Sequence, residues 1–468
     1  VEKKKELPLI EKVTVQDIAA EGNAIAREGN LVIFIPLTVP GDIADIQIIR
    51  RRKNYAEGIP VVFHQFSTER EEPLCAHFGI CGGCTWQCLK YERQLFYKEK
   101  IVRDALERIA RTEVKKFLPI IPSPEKYFYR NKLEYTFSSK RWLTEEEIKT
   151  GQVLNRGYAL GFHKPGYFDR VIDIHRCYLQ AEPTNLIRNA VKDYALTNHL
   201  SFYDLKSHTG FLRNLIIRNT PEGQVMVIVV FHEKENRKIK GLLDFIRKEF
   251  PGITSLMYVV NMKKNDTITD QEVHLHSGED HLLGTMNGLK FRIGPKSFYQ
   301  TNTLQAERLY QTVKRVAGLT GKENVYDLYS GTGTIACYLA GEAERVTGLE
   351  YIKEAVDDAA INAGINGLSN VAFIKGDIKE LLSEGIFEKR GLPDVVITDP
   401  PRSGMHKDVI RAIVAARPQK IVYVSCNPAT QARDVQLLAE KYMVECSQPV
   451  DMFPQTHHVE NVILLVRK

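Results

Sequence analysis

The sequence predicts a multidomain chain: a small N-terminal β-barrel, a central α+β domain, and a C-terminal α/β domain whose parallel sheet is covered on both faces. Three observations carry that reading. Short apolar runs bounded by turn residues fill positions 11 to about 68, mixed strand and helix signals occupy about 125–295, and strands alternate strictly with helices from 323 onward. The domains are accordingly placed at 1–70, 71–295 and 296–468. A chain of 468 residues is also too long for one ordinary core.

In the first segment, positions 13–15, 31–35, 44–49 and 61–63 read as strands, with Glu21-Gly22-Asn23, Gly29-Asn30 and Pro40-Gly41 turning the chain between them. Short strands at that spacing suggest a barrel. Residues 71–90 form a cysteine-rich loop without periodicity. The following YERQLFYKEKIVRDALERIAR sets Leu95, Ile101, Val102, Leu106 and Ile109 among charges, an amphipathic helix over 93–112 that is free to pack with the C-terminal domain. Candidate strands at 127–137, 158–163, 212–217 and 225–231, with helices near 183–197 and 235–249, make the middle an antiparallel α+β region. After 323, the runs VYDLY, RVTGLE, VAFIK, DVVITD, KIVYVS and VILLV alternate with helices, and their continuous apolar character is that of a buried parallel sheet. Ligands of such sheets bind at the carboxyl ends of the strands.

Composition bounds the partners. Hydrophobic residues at 43% and charged residues at 26% are globular values, and a net charge of +6 permits a nucleic-acid partner without requiring one. The start VEKKKELPLI lacks the apolar core of a secretory leader, and no run is long enough to span a bilayer. A cytoplasmic protein with no membrane partner and no obligate protein partner is expected.

The first strand of the alternating region runs into DLYSGTGTIA, where Gly331, Gly333 and Ala336 fit G-x-G-x-x-G/A. Glu350, nineteen positions after Gly331 and at the end of the next strand, can accept bonds from ribose hydroxyls. Together they imply a Rossmann-like domain with a nucleoside-bearing cofactor, NAD or S-adenosylmethionine. Asp377, after the third strand, can meet an adenine amino group or the ribose. The fourth strand stops at Asp399-Pro400-Pro401-Arg402, whose prolines end the ladder and expose Asp399. Amino-group methyltransferases carry an aromatic where Arg402 stands, which counts against methylation of an exocyclic amine.

The fifth strand ends in KIVYVSCNPAT. Pro428 suits the first helical position and Asn427 the N-cap, so Cys426 lies just before a helix start, where a thiol's pKa is expected to fall. A lone cysteine is more often a buried structural residue, but this one stands at the ligand edge of the sheet. A thiolate beside a methyl donor suggests chemistry at a pyrimidine: sulfur adds at C6, and the resulting enolate lets C5 attack an activated methyl. A base must then take the C5 proton. Glu460, opening the last strand, is the best-placed carboxylate, with His457 and His458 as competitors.

These residues resemble the RNA uracil-5-methyltransferases. The resemblance rests on PGD at 40–42, CGGC at 81–84, YRNKLEY at 129–135, LRNLIIR at 212–218, SFYQTN at 297–302, DLYSGTGTIA, DPPRSG, SCNPAT and DMFPQTHHVENV. It implies an N-terminal TRAM domain, which is an OB-like RNA-binding barrel, and a C-terminal S-adenosylmethionine domain. Cys426 is then the nucleophile and Glu460 the general base. Gln300, Tyr329, Thr334, Glu350, Asp377 and Asp399 match cofactor positions alongside Gly331 and Gly333, and Phe298 matches an aromatic near a flipped target base.

Cys75, Cys81, Cys84 and the distant Cys177 suit zinc or an iron-sulfur centre equally well by donor chemistry. The resemblance implies a [4Fe-4S] cluster on these four, with Cys88 outside the pattern. Relatives acting on tRNA generally lack both barrel and cluster, which favours a 23S rRNA uridine. A tRNA uracil-5-methyltransferase and a non-catalytic RNA-binding iron-sulfur protein are the alternatives. RNA phosphates are expected to meet basic residues such as Arg50, Arg51, Arg52 and Lys53.

Overall fold

A computed structural model describes residues 7–151, 157–383 and 385–468. Residues 1–6, VEKKKE, on which the leader expectation partly rests, lie outside the described residues. Among the described residues no helix is long and apolar enough to cross a membrane.

Five strands, β1 (Leu9–Ile18), β2 (Ala24–Glu28), β3 (Leu31–Ile35), β4 (Ile43–Arg51) and β5 (Tyr55–Gln65), close into a barrel in the order β1-β2-β3-β5-β4. Alternation explains it: Ala44, Ile46 and Ile48 of β4 point inward with Val13, Val15, Ala24, Ala26, Ile33, Ile35 and Ala56. The strand absent from the sequence reading is β2, whose inward residues Ala24 and Ala26 are small and give little hydrophobic signal.

The chain then leaves the order that sequence position suggests. The helix Tyr91–Ala105 packs against the helix Pro428–Leu438, and β6 (Val114–Phe117) pairs in parallel with a strand of the C-terminal sheet. The span 71–295 is therefore not one contiguous body. Buried Val102, Ala105 and Leu106 join the same apolar cluster as Val435 and Leu438, and that shared burial draws the helix across.

The central sheet has seven strands: β7 (Lys132–Ser138), β8 (Ala159–His163), β9 (Val171–Asp173), β10 (Leu212–Asn219), β11 (Val225–Phe231), β12 (Ser255–Val260) and β13 (Val273–Gly278), in the order β13-β12-β11-β10-β7-β8-β9. It is not wholly antiparallel, because the helix Asn236–Glu249 connects β11 to β12 as a parallel crossover. The hairpin β14 (Leu282–Met286) and β15 (Leu289–Ile293) bridges the central and C-terminal regions: the Leu283 and Thr285 N–H groups donate to Gln224 and Glu222 of the central region at 2.8 and 2.9 Å. Its Lys290 and Arg292 N–H groups donate to Asn366 and Asn362 of the C-terminal domain at 2.9 and 2.8 Å.

The C-terminal sheet contains β16 (Asn324–Leu328), β17 (Arg345–Glu350), β18 (Val371–Lys375), β19 (Val395–Thr398), β20 (Lys420–Ser425), β21 (Tyr442–Val450) and β22 (Glu460–Arg467). With β6 the order is β18-β17-β16-β19-β20-β22-β21-β6. The strands β16 to β20 are mutually parallel, and β22 runs antiparallel to both neighbours.

Candidate active site

Strand order reverses between β16 and β19, so the connections diverge and leave a crevice above their carboxyl ends. The loop after β16 turns through left-handed backbone at Tyr329 (φ +64°), Gly331 (+53°) and Gly333 (+76°). A Cβ on Gly333 would stand 2.5 Å from the Phe373 ring, whereas one on Gly331 would meet nothing within 4 Å. Glycine at 333 thus serves close packing, and glycine at 331 keeps backbone exposed to the crevice.

Glu350 is tied to this loop. One carboxylate oxygen accepts the Gly331 N–H at 3.0 Å and the other the Ile352 N–H at 2.9 Å, leaving lone pairs for ligand hydroxyls. Thr334 and Gln300 meet at the buried Tyr310 hydroxyl, Thr334 at 3.2 Å. Asp377 is exposed and accepts the Lys379 N–H at 2.9 Å, at the start of the helix Ile378–Ser383. Phe298 is 68% exposed, and its carbonyl accepts the Thr332 hydroxyl at 3.2 Å, which fixes an open aromatic face beside the glycine loop.

The candidate reacting groups, Cys426 and Glu460, stand at two neighbouring strand ends. Antiparallel pairing of β20 with β22 runs to Ser425 opposite Asn461; Cys426 and Glu460 are the residues next to that last pair, near enough for the Glu460 carboxyl to act on the thiol. Asp399 follows β19 on the other side of β20. Asn427 caps the helix Pro428–Leu438, accepting the Ala429 N–H at 3.1 Å and the Thr430 N–H at 3.4 Å, while its amide donates to the Arg402 carbonyl at 3.1 Å. The DPPR turn and the cysteine turn are thereby locked together.

The local electrostatics correct one expectation. Cys426 is half-buried, and burial pushes its thiol up to about 11, with the Glu460 and Asp399 carboxyls adding to the rise. Arg402 and a hydrogen bond from the Cys426 backbone favour the thiolate but do not outweigh these effects. Glu460 is itself raised to about 8, first by burial and then by Asp399, and burial raises Asp399 to about 7. His457 and His458 are each lowered to about 4, mainly by burial. Both are weak bases, so the electrostatics favour Glu460 for proton removal.

A family model described as tRNA (uracil-5-)-methyltransferase matches residues 219–468, and a TRAM domain model matches residues 10–61. The chain belongs to the RNA uracil-5-methyltransferase family. Within this family it is 53% identical over 451 residues to a Bacteroides thetaiotaomicron protein described as an uncharacterized RNA methyltransferase, covering 96% of this chain and 99% of the relative. A Porphyromonas gingivalis protein of the same description is 50% identical over 460 residues, covering 97% and 99%. Among solved structures, the Pyrococcus abyssi tRNA (uracil-54, C5)-methyltransferase in complex with S-adenosyl-L-homocysteine aligns with a TM-score of 0.75 at 27% identity. That alignment covers 97% of this chain and all of that one.

The TRAM barrel of this family member leads into the cysteine loop. Cys75, Cys81, Cys84 and Cys177 line one cavity of about 150 Å³, and Cys88 is buried elsewhere, against Trp86, Leu89 and Tyr97. Among the described residues no three His, Cys, Asp or Glu side chains converge to hold a single metal ion. Burial and mutual proximity raise the cavity thiols, Cys84 to about 12 and Cys177 to about 11.

Asp327, in β16, belongs to the crevice and escaped the sequence reading. Both its carboxyl oxygens are buried without a well-formed hydrogen bond, and burial followed by Asp399 raises its pKa well above the usual range. A carboxylate inside an otherwise apolar strand was the available signal. Tyr310 and Arg402, which interacts with Cys426 and Glu460, had no such marker.

Proposed function

We propose that the protein methylates C5 of a uridine in RNA, using S-adenosylmethionine as the donor and a transient bond between Cys426 and the uracil ring. The observation that carries this reading is the placement of Cys426 and Glu460 at adjoining strand ends, next to the last β20–β22 pair and close enough to interact. The open backbone at Gly331, the anchored Glu350 and the orphaned Asp327 suit a cofactor with ribose hydroxyls and a cationic amino-acid end. Bound S-adenosylmethionine supplies an electrophilic methyl on a sulfonium.

Cys426 sulfur adds to C6, and the C5=C6 electron pair passes to the ring carbonyl as an enolate. C5 takes the methyl as the donor's sulfonium S–CH3 bond breaks and its electron pair stays on sulfur, leaving a neutral thioether. Glu460 then removes the C5 proton, the double bond reforms and the C–S bond to Cys426 breaks to return the thiolate. Phe298 offers its open face to a base swung out of its stack. Cys426→Ala tests the scheme: the variant should transfer no labelled methyl to RNA and form no denaturant-stable RNA adduct. Turnover by that variant would refute the nucleophile.

The barrel and cysteine loop favour a 23S rRNA uridine. The full-length likeness to the Pyrococcus abyssi enzyme, whose substrate is tRNA, favours a second reading in which tRNA is modified. Mapping 5-methyluridine across both RNAs, with and without the gene, separates them. The reading extends to a [4Fe-4S] cluster on Cys75, Cys81, Cys84 and Cys177, whose four thiols line one cavity. Such a cluster would hold the loop or orient RNA, since the polar addition requires no electron transfer. Basic residues at the β4–β5 turn are proposed to meet phosphates, with Arg50 already paired to Glu57 at 3.1 Å and Arg51, Arg52 and Lys53 exposed.

A further inference from the structure

The loop of residues 451–459 joins β21 to β22 and delivers Glu460 to the crevice. It is held almost entirely by groups from elsewhere in the chain. Lys98, fully buried in the helix Tyr91–Ala105, donates to Asp451 at 2.5 Å and to the Phe453 carbonyl at 3.0 Å. The Tyr91 hydroxyl donates to the other Asp451 oxygen at 2.8 Å and accepts the Ser123 N–H at 2.8 Å. Gln94 exchanges two 2.9 Å bonds with Gln455, one to its side chain and one from its N–H. The Gln455 carbonyl accepts the Thr85 and Trp86 N–H groups at 2.9 and 3.0 Å.

Asp451 stands immediately beyond Val450, the residue that pairs with Glu460 across the β21–β22 ladder. Its anchorage therefore fixes the mouth of the hairpin from which Glu460 projects. Among the described residues the Glu460 carboxyl has no hydrogen bond of its own, and the interactions on it are burial and the charges of Asp399 and Arg402. Its aim therefore depends on where the backbone is held. Cys426 differs, because its turn is fixed by Asn427 and Arg402 within the C-terminal domain.

We infer that Lys98 and Tyr91, acting through Asp451, are positioning residues for proton removal by Glu460 and not for sulfur addition by Cys426. This rests on the proposed reaction. Loosening the anchorage should leave the adduct able to form and accept methyl while slowing its breakdown, so labelled methyl accumulates on protein-linked RNA.

The test follows methyl label in single turnover, divided between free RNA and denaturant-stable protein–RNA, for Lys98→Met, Tyr91→Phe and Glu460→Gln. Lys98→Met should slow release of free methylated RNA about tenfold to a hundredfold, as small misplacements of reacting groups do, and raise the protein-linked share. Tyr91→Phe, which removes one hydroxyl and keeps the packing, should shift the same ratio by about two- to threefold. That second variant keeps the test open should Lys98→Met fail to fold. If both pools fall together, or if neither variant changes the division, the positioning role is overturned. Glu460→Gln is the control: absence of its adduct would mean that the Cys426–Glu460 reading itself has failed, independently of Lys98.

Discussion

Replacing Glu460 by Gln separates the two halves of the proposed reaction, and the structure sets the size of each effect. The substitution keeps shape and removes the base, so adduct resolution should fall about 10²- to 10⁴-fold while adduct formation continues. The pH profile gives an independent measure. With its carboxyl raised to about 8 by burial and by Asp399, Glu460 is mostly protonated at pH 7 in the free enzyme. In the wild type, kcat/KM should therefore carry a rising component below about pH 8, well above the ordinary carboxylate range, that Glu460→Gln loses, leaving only the rise set by the Cys426 thiol.

Stability moves in the opposite sense. A carboxyl whose folded pKa lies above its unfolded value near 4.5 carries no penalty below that value, and its penalty grows as pH rises to about 8. The cost approaches a ceiling of about 1.4 kcal/mol per pH unit across that window. Glu460→Gln should accordingly melt at a higher temperature than the wild type at pH 8 and at the same temperature at pH 4, read by calorimetry. A flat wild-type rate profile from pH 6 to 9, or a variant less stable at pH 8, would refute the electrostatic argument.

Gly333→Ala forces a Cβ to within 2.5 Å of Phe373 and 2.9 Å of Ala359 at φ +76°, so about 2 kcal/mol or more of stability should be lost. Calorimetric titration with S-adenosylhomocysteine should show at least about tenfold weaker binding, and unchanged melting would contradict the packing argument. Protein purified without oxygen should be brown and contain iron and sulfide, both lost on Cys81→Ser. A colourless protein with one zinc per chain would overturn the cluster.

Much of this site could be read along the chain because its signals are local. The glycine turn, the acidic residue at the next strand end, the two prolines after Asp399 and the Cys-Asn-Pro stop are each compressed into a few residues. The same held for the barrel, apart from β2, where inward alanines mute the period. Local helix-start reasoning gave the wrong sign for the Cys426 thiol, because burial raises it first and the Glu460 and Asp399 carboxyls add to the rise, and neither is visible along the chain.

The order of strands and the placement of catalytic residue types at their ends follow from hydrophobic period and turn chemistry, which act over short separations. Tertiary structure alone decided that the helix Tyr91–Ala105 and β6 join a sheet whose other strands begin some two hundred residues later. It also decided that Lys98 meets Asp451 across 353 positions, and that Glu460 comes near Cys426. Those outcomes depend on burial shared between distant segments and on antiparallel register, and neither leaves a periodic mark in the residues it brings together.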